Sequence, residues 1–147
     1  MLREGYNADL LYTGYQTLLE ELELDVLLID TPAGLNEGTL RSIAFTDTLA
    51  IVLRPDKQDY QGTAVMVDVT RRLGVPQVAL IINKMPPMYD PAEVKAQAEQ
   101  AFGCEVAAVL PHSDEMLALA SAGIFVLCFP HHPLTDLLKQ VTARLMA

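Results

Sequence analysis

Apolar residues in this chain form short unbroken runs that alternate with longer stretches of helical periodicity. Runs such as Val26–Ile29 and Leu49–Leu53 are typical of strands buried on both faces of a parallel sheet. The stretches between such runs repeat apolar residues every three to four positions, as a helix does. The predicted strands cover 25–29, 49–53, 78–82, 106–110 and 124–129, and the predicted helices cover 8–22, 36–45, 59–73, 91–102, 113–122 and 134–146.

The alternation of strands with helices predicts an α/β fold. We expect a mostly parallel, doubly wound sheet of four or five strands with right-handed crossovers. The chain has 147 residues and contains no internal repeat, low-complexity segment or linker. Residues 1–147 are therefore predicted to form a single domain.

Capping residues support these helix boundaries. Asn36 can cap the second helix, and Pro91 suits the first position of another because its missing N–H is not needed there. Gly74, Gly103 and Gly123 follow three helices, where a left-handed residue commonly ends a helix. Ser113 or Asp114 is expected to cap the helix that follows the fourth strand.

Composition narrows the class of protein. A hydrophobic content of 51% and a charged content of 20% are typical of a globular chain. No apolar run reaches the roughly 18 residues of a membrane-spanning helix, and Met1–Asp9 lacks the apolar core of a signal peptide. Cys104 and Cys128 have no metal-ligand spacing and are interpreted as reduced, buried thiols. The sequence therefore predicts a cytoplasmic protein.

The net charge of −9 argues against a basic face for nucleic acid, so no direct nucleic-acid partner is expected. This charge remains compatible with a nucleotide site, which backbone N–H groups and one or two cations can build.

Four residues stand where predicted strands end: Asp30, Arg54, Asn83 and Pro111. The carboxyl ends of parallel strands share one edge of a sheet, and ligands of open α/β sheets bind there. This edge is the predicted functional site.

The segment Leu28–Leu35 resembles the Walker B and switch II region of the MinD/ParA family, which are SIMIBI-class P-loop ATPases with a deviant Walker A loop. The resemblance implies that Asp30 orders a magnesium ion, usually through water, and that the Gly34 backbone senses the terminal phosphate. Asp30 and Gly34 are thus the predicted catalytic residues. From the residues alone, Asp30 could instead cap a turn at the end of a buried strand.

Asn83 follows the third predicted strand, and its side-chain amide could pair with a purine edge or cap the turn before two prolines. GTPases carry Asn-Lys-x-Asp here, but this chain has Pro86 in place of that Asp, which favours adenine over guanine. The family resemblance implies that Asn83 contacts adenine. It also implies that Pro111 and Ser113 wrap the adenine and ribose, with Asp114 either substituting for the acid that relatives carry at Ser113 or capping the helix. ATP or ADP with Mg²⁺ are the implied cofactors.

The chain departs from the family at the phosphate site, because its eight scattered glycines form no loop of the Gly-rich, Lys-containing type. We therefore expect it to be the C-terminal part of a MinD/ParA-like nucleotide-binding domain that lacks the Walker A loop. The family hydrolyses ATP in division- or partitioning-type spatial regulation, whereas this chain alone should hydrolyse ATP weakly or not at all. The alternative is a non-catalytic dimerisation or interaction module. Expected partners are a second copy or an N-terminal chain that bears the P-loop.

Other candidates have simpler interpretations. The three histidines, at 112, 131 and 132, suit surface or capping roles better than metal binding. Asp56 and Asp59 flank Lys57 in what is predicted to be a solvated turn, with a dimer contact as the alternative. The apolar stripe of the last helix suits core packing better than membrane binding, since it carries only two cations. A phospho-acceptor receiver domain would pair Asp30 with Lys84, but it needs a further acidic pair that is not visible.

Overall fold

The computed structural model describes residues 8–146. Residues 1–7, which belong to the stretch predicted to lack a signal peptide, lie outside the described residues. The chain divides into two compact units, Met1–Thr46 and Asp47–Ala147. The single-domain assignment stays a prediction.

The first unit contains two helices, α1 (Ala8–Glu21) and α2 (Glu37–Ala44). Asn36 caps α2 as predicted, because its side-chain oxygen accepts a hydrogen bond from the Thr39 backbone N–H over 2.9 Å. The ring of Tyr12 on α1 packs against that of Phe45, just after α2, with 4.9 Å between ring centroids.

The second unit is built on a parallel sheet of three strands in the order β1–β2–β3. In chain order its elements are β1 (Thr48–Leu53), α3 (Lys57–Leu73), β2 (Gln77–Met85), α4 (Pro91–Phe102), β3 (Glu105–Pro111), α5 (Asp114–Leu119), α6 (Phe125–Cys128) and α7 (Pro133–Leu145). Pro91 begins α4, and both Gly74 and Gly103 end helices in the left-handed conformation, as predicted.

Helices cover both faces of this sheet, which confirms the α/β, doubly wound class. On one face α3 and α4 pack over the sheet in a core that includes Leu53, Val67, Leu80, Ile82 and Phe102. On the other face α6 and α7 pack over Ala79, Ile81 and Leu110. The apolar stripe of α7 lies in this second core, as the sequence predicted. Among the described residues no helix is long and apolar enough to cross a membrane.

The prediction of four or five strands is wrong: the described residues contain three. Residues 25–29 form no strand, and within residues 8–146 the stretch 25–35 makes no backbone hydrogen bond. The side chains of Val26 and Leu28 are 40% and 88% exposed. An apolar run indicates a preference for burial, but a strand also requires a neighbour for its N–H and C=O groups, which the run does not identify.

The predicted strand over 124–129 is also wrong, because residues 125–128 form the one-turn helix α6. A short apolar run cannot by periodicity alone distinguish a strand from a buried helical turn, and buried Phe125 satisfies the same pattern. Helix α5 ends at Leu119, so Gly123 does not cap it. Cys128 is exposed and Cys104 is half-buried, which corrects the prediction that both thiols are buried.

Candidate functional site

The carboxyl edge of the sheet brings the ends of β2 and β3 together. Met85 pairs with Pro111 in the parallel register, and the His112 backbone N–H donates to the Met85 carbonyl oxygen over 3.0 Å. The register shifts between Ile82 and Met85, so Asn83 and Lys84 lie in an irregular part of β2. Asn83 was predicted to follow this strand but lies within it, shortly before the last residue, Met85. The end of β2 and the segment that begins at Pro111 reach the same edge of the sheet.

Asn83 is half-buried, and its side chain already makes one local contact. Its Oδ1 atom accepts a hydrogen bond from the Lys84 backbone N–H over 2.8 Å. Lys84 has φ +55°, a left-handed conformation that is unusual for a residue other than glycine. The amide of Asn83 retains two N–H donors and one oxygen lone pair for a ligand. The turn contact and a ligand contact are thus compatible in one side chain.

The turn after β3 is ordered by Ser113. Its Oγ atom accepts a hydrogen bond from the Met116 backbone N–H over 3.1 Å and donates one to Glu115 Oε2 over 2.9 Å. Ser113, and not Asp114, is therefore the cap of α5. Asp114 is the first residue of α5, and its exposed carboxylate lies 3.2 Å from His112 Nε2. Pro111 is exposed at the edge.

Arg54 follows β1 at the same edge and is held by a network of ion pairs. Its Nε and Nη2 atoms donate to the two carboxylate oxygens of Asp59, each over 3.1 Å, and Nη2 also lies 3.2 Å from Asp56. Asp56 caps α3 by accepting from the Asp59 backbone N–H. The hydrogen bond from Arg54 lowers the pKa of Asp59, and the same bond raises the pKa of Arg54. The turn that was predicted to be only solvated is thus also cross-linked by the ion pairs of Arg54 with Asp56 and Asp59.

A cleft of about 350 Å³ lies between the connections that follow β1 and β2. Burial of the Tyr60 ring raises the pKa of its hydroxyl, and this ring packs on Phe102 with 5.1 Å between centroids. The predicted nucleotide contacts at Asn83 and Ser113 do not line the cleft. Its lining residues are Pro55, Asp56, Lys57, Tyr60, Tyr89, Val94 and Gln97.

Asp30 and Gly34 lie in the first unit, between α1 and α2. The carboxylate of Asp30 is exposed. Gly34 has φ +95°, and a Cβ built on it would meet no atom within 4 Å. The positive φ therefore favours glycine at this position. The surrounding space would accommodate a Cβ and does not by itself require glycine.

The histidines differ in their roles. His132 caps α7, since its Nδ1 atom accepts a hydrogen bond from the Leu134 backbone N–H over 3.1 Å, which confirms a capping role. Within residues 8–146 no group of three or more His, Cys, Asp or Glu residues is arranged to hold a metal ion.

Sequence reasoning missed three features of this edge: the left-handed Lys84, the Ser113–Glu115 hydrogen bond and the Arg54 network. A serine cap followed by an acid in the first helical turn could have indicated the second feature, and a basic residue flanking an Asp-capped helix the third. Nothing in the pattern Ile-Asn-Lys-Met indicates the left-handed residue.

No protein family model matches the chain. It is 27% identical over 124 residues, 84% of its length, to an uncharacterized ATP-binding protein of Methanocaldococcus jannaschii, of which it covers 47%. It is 24% identical over 102 residues to a candidate septum site-determining protein MinD of Emiliania huxleyi, matching 67% of this chain and 38% of that protein. The chain thus spans about half the length, or less, of these curated relatives.

Solved structures share the fold. The MinD cell division protein of Aquifex aeolicus superposes with a TM-score of 0.80 at 15% identity, covering 95% of this chain and 61% of that one. A MinC:MinD complex from the same organism gives a TM-score of 0.80 at 14% identity, covering 97% and 60%. Together with the two curated relatives, this agreement in fold shows that the chain is related to the MinD/ParA-like P-loop ATPases.

Proposed function

We propose that this chain supplies the adenosine-binding part of a MinD/ParA-like ATPase. The observation that supports the proposal is the pairing of Met85 with Pro111, because it brings the end of β2, which contains Asn83, and the Pro111–Asp114 turn to the same carboxyl edge of the sheet. The half-buried amide of Asn83 would pair with the base. Pro111 and Ser113 would pack against the base and ribose, with Asp114 at the rim. The relative from Methanocaldococcus jannaschii is named as ATP-binding, which supports this ligand.

Asp30 and Gly34 are proposed to serve the phosphate end of the nucleotide. Magnesium in nucleotide sites is usually bound through one or two carboxylates, waters and substrate phosphates, so a single exposed carboxylate such as Asp30 is a suitable donor. When bound, the ion would neutralise charge on the phosphates. The left-handed backbone of Gly34 would let its N–H approach the terminal phosphate without a side chain in the way.

Hydrolysis by these 147 residues alone is proposed to be weak or nil. Phosphoryl transfer depends on positioning and on stabilisation of negative charge, which a Gly-rich loop with its lysine provides, and the printed sequence has no such loop. We propose that a phosphate-binding loop is supplied by other residues, as a further segment or a partner chain. The biological setting would be cell-division or partitioning-type spatial regulation, since two similar proteins are named as a septum site-determining and a cell division protein. The cytoplasm is the location that we propose for it.

A specific feature favours the second candidate function, a non-catalytic dimerisation or interaction module. β1 is an edge strand of the described sheet, and Val52 within it is 61% exposed. An edge strand with an exposed apolar residue can pair with another chain. The partner would be a second copy or a chain that carries the phosphate loop. The occurrence of the similar Aquifex aeolicus MinD in a MinC:MinD complex supports partner binding in general.

A thermal melt with ATP and Mg²⁺ separates the two functions. A ligand that binds only the folded state raises stability by RT ln(1 + [L]/Kd), so ATP at about ten times its Kd should raise the melting temperature by about 3–6 °C. The variant Asn83→Ala should lose most of this shift, whereas Gln100→Ala on the exposed side of α4 should keep it. No shift at millimolar ATP, with and without a loop-bearing partner, would leave the interaction module as the function.

A further inference from the structure

The hydroxyl of Ser113 has its hydrogen-bonding capacity almost fully committed within the chain. A serine hydroxyl has one proton to donate and two lone pairs. The proton goes to Glu115 Oε2 over 2.9 Å, and one lone pair accepts the Met116 backbone N–H over 3.1 Å. One lone pair is left, so Ser113 in this arrangement can accept a hydrogen bond from a ligand but cannot donate one.

The surroundings of Glu115 favour its ionised form, which can only accept the hydrogen bond from Ser113. Its own backbone N–H and the Ser113 hydroxyl both lower the pKa of its carboxyl group. His132 faces it from the α7 side, with Nε2 3.9 Å from Oε2. Because Nδ1 of His132 accepts the Leu134 N–H, the proton of the neutral imidazole lies on Nε2, toward Glu115. An ionised carboxylate has no proton to give, so it can only receive the one from Ser113.

We propose that Glu115 is a specificity-determining positioning residue, which turns Ser113 into an obligate acceptor so that the edge selects ligands with a hydrogen-bond donor at that point. The inference rests on the proposed function and adds the direction of the hydrogen bond, in which the ligand donates and Ser113 accepts. Asn83, on the neighbouring strand, has its oxygen partly occupied by the Lys84 N–H and two amide protons to offer. The edge therefore presents donors from β2 and an acceptor from the turn after β3.

This arrangement of donors and an acceptor matches an adenine nucleoside. Along one edge adenine presents the N7 acceptor and the N6 amino donor, whereas guanine and hypoxanthine present N7 and an O6 acceptor. An acceptor set against Ser113 would leave two lone pairs facing each other, and an unmade hydrogen bond of this kind weakens binding by about tenfold or more. A ribose hydroxyl is the other donor that a nucleoside could offer to Ser113.

The test uses nucleosides, which carry no phosphate and so need no phosphate loop. Adenosine, inosine and 2′,3′-dideoxyadenosine are titrated into the ¹⁵N-labelled chain, and Kd values are taken from amide shifts at residues 83–84 and 112–116. We expect the unsubstituted chain to bind adenosine about tenfold more tightly than whichever analogue lacks the contacting donor. Inosine identifies the amino group as that donor, and the dideoxy compound identifies the ribose.

Glu115→Ala should free the Ser113 proton and reduce this discrimination to about twofold or less. Glu115→Gln, whose amide oxygen still accepts that proton, should keep most of it. Glu93→Ala, which removes an acid from the first turn of α4, should leave it unchanged. The amide spectrum itself reports whether each variant is folded.

Discrimination that is unchanged in Glu115→Ala, or absent from the unsubstituted chain although adenosine binds, would overturn the inference and leave the proposed function standing. Failure of all three nucleosides to bind would overturn the proposed function, and this inference with it.

Discussion

The carbonyl oxygen of Met85 accepts a hydrogen bond from the backbone N–H of His112 over 3.0 Å. This bond joins the last residue of β2 to the first residue after β3, beyond the regular ladder. It holds the irregular Asn83–Lys84 segment beside the turn that Ser113 caps. The geometry of the candidate site thus depends on main-chain pairing, which tolerates changes in the exposed side chains around it.

The left-handed conformation of Lys84 predicts an unusual pair of substitutions. Lys84→Gly should stabilise the chain by up to about 1 kcal/mol, because glycine adopts φ +55° without the steric cost of a Cβ. Lys84→Ala keeps the Cβ and should bring no gain. Urea denaturation of the two variants measures the difference, and both remove the same charge. Equal stabilities would mean that this residue is not strained in the native state.

Alanine substitutions at two glycines of α3 should change the free energy of unfolding in opposite directions. Gly62 lies inside α3, and a Cβ there would meet no atom within 4 Å, so Gly62→Ala should raise the free energy of unfolding by about 0.5–1 kcal/mol. Gly74 ends the same helix with φ +73°, also in open space, so Gly74→Ala should lower it by about 1–2 kcal/mol. Chemical denaturation checks both; two changes of the same sign would contradict the assigned end of α3.

Asp59 should make the free energy of unfolding depend on pH in the acidic range. Its pKa is lowered in the folded state by the hydrogen bond from Arg54, so its contribution is complete above the ordinary value of 3.8 and is lost as the pH falls through the lower folded value. Asp59→Asn should therefore be less stable than the unsubstituted chain near neutral pH, with the gap narrowing as the pH falls below 3.8.

Melting curves recorded from about pH 2 to about pH 7 check this dependence. Asp68→Asn is the matched control, since Asp68 pairs with Arg72 one turn along the exposed face of α3 and such pairs contribute little. A gap for Asp59→Asn that stays constant with pH would contradict the role given to Arg54.

The stability of the second unit should be sensitive to truncation of a buried side chain on β2. Leu80 is fully buried between β1, β3 and the helices above them, so Leu80→Ala should cost about 2–5 kcal/mol. Leu127 in α6 is 72% exposed, and Leu127→Ala should change stability by less than about 0.5 kcal/mol. Denaturation midpoints test the pair. A mild effect at Leu80 would argue against the assigned sheet face.

Much of the second unit could be predicted from residue order. The runs that became β1, β2 and β3 are unbroken and apolar. Pro91 at the start of α4 and the glycines Gly74 and Gly103 at the ends of α3 and α4 set helix boundaries as predicted. Patterns of this kind are local, so a sequence carries them completely. That β2 and β3 end at the same edge followed from parallel pairing alone, and Met85 pairs with Pro111 there.

The errors concern properties that depend on neighbours. Residues 25–29 have the composition of a strand without a pairing partner in the described residues, and residues 124–129 satisfied the same pattern as a helical turn. The direction of the Ser113 hydrogen bond depends on the rotamer of Glu115, which the sequence does not encode in any periodicity. The roles of Asp30 and Gly34 stay predictions.

Photolabelling with 8-azidoadenosine triphosphate tests the central claim most directly, because it reports where an adenine ring lies. Irradiation followed by peptide mass spectrometry should identify labelled residues in the segments 83–89 and 111–116, and excess ATP should abolish the labelling. Label found only elsewhere in the chain, or label in these segments that ATP does not displace, would contradict an adenosine site at the ends of β2 and β3.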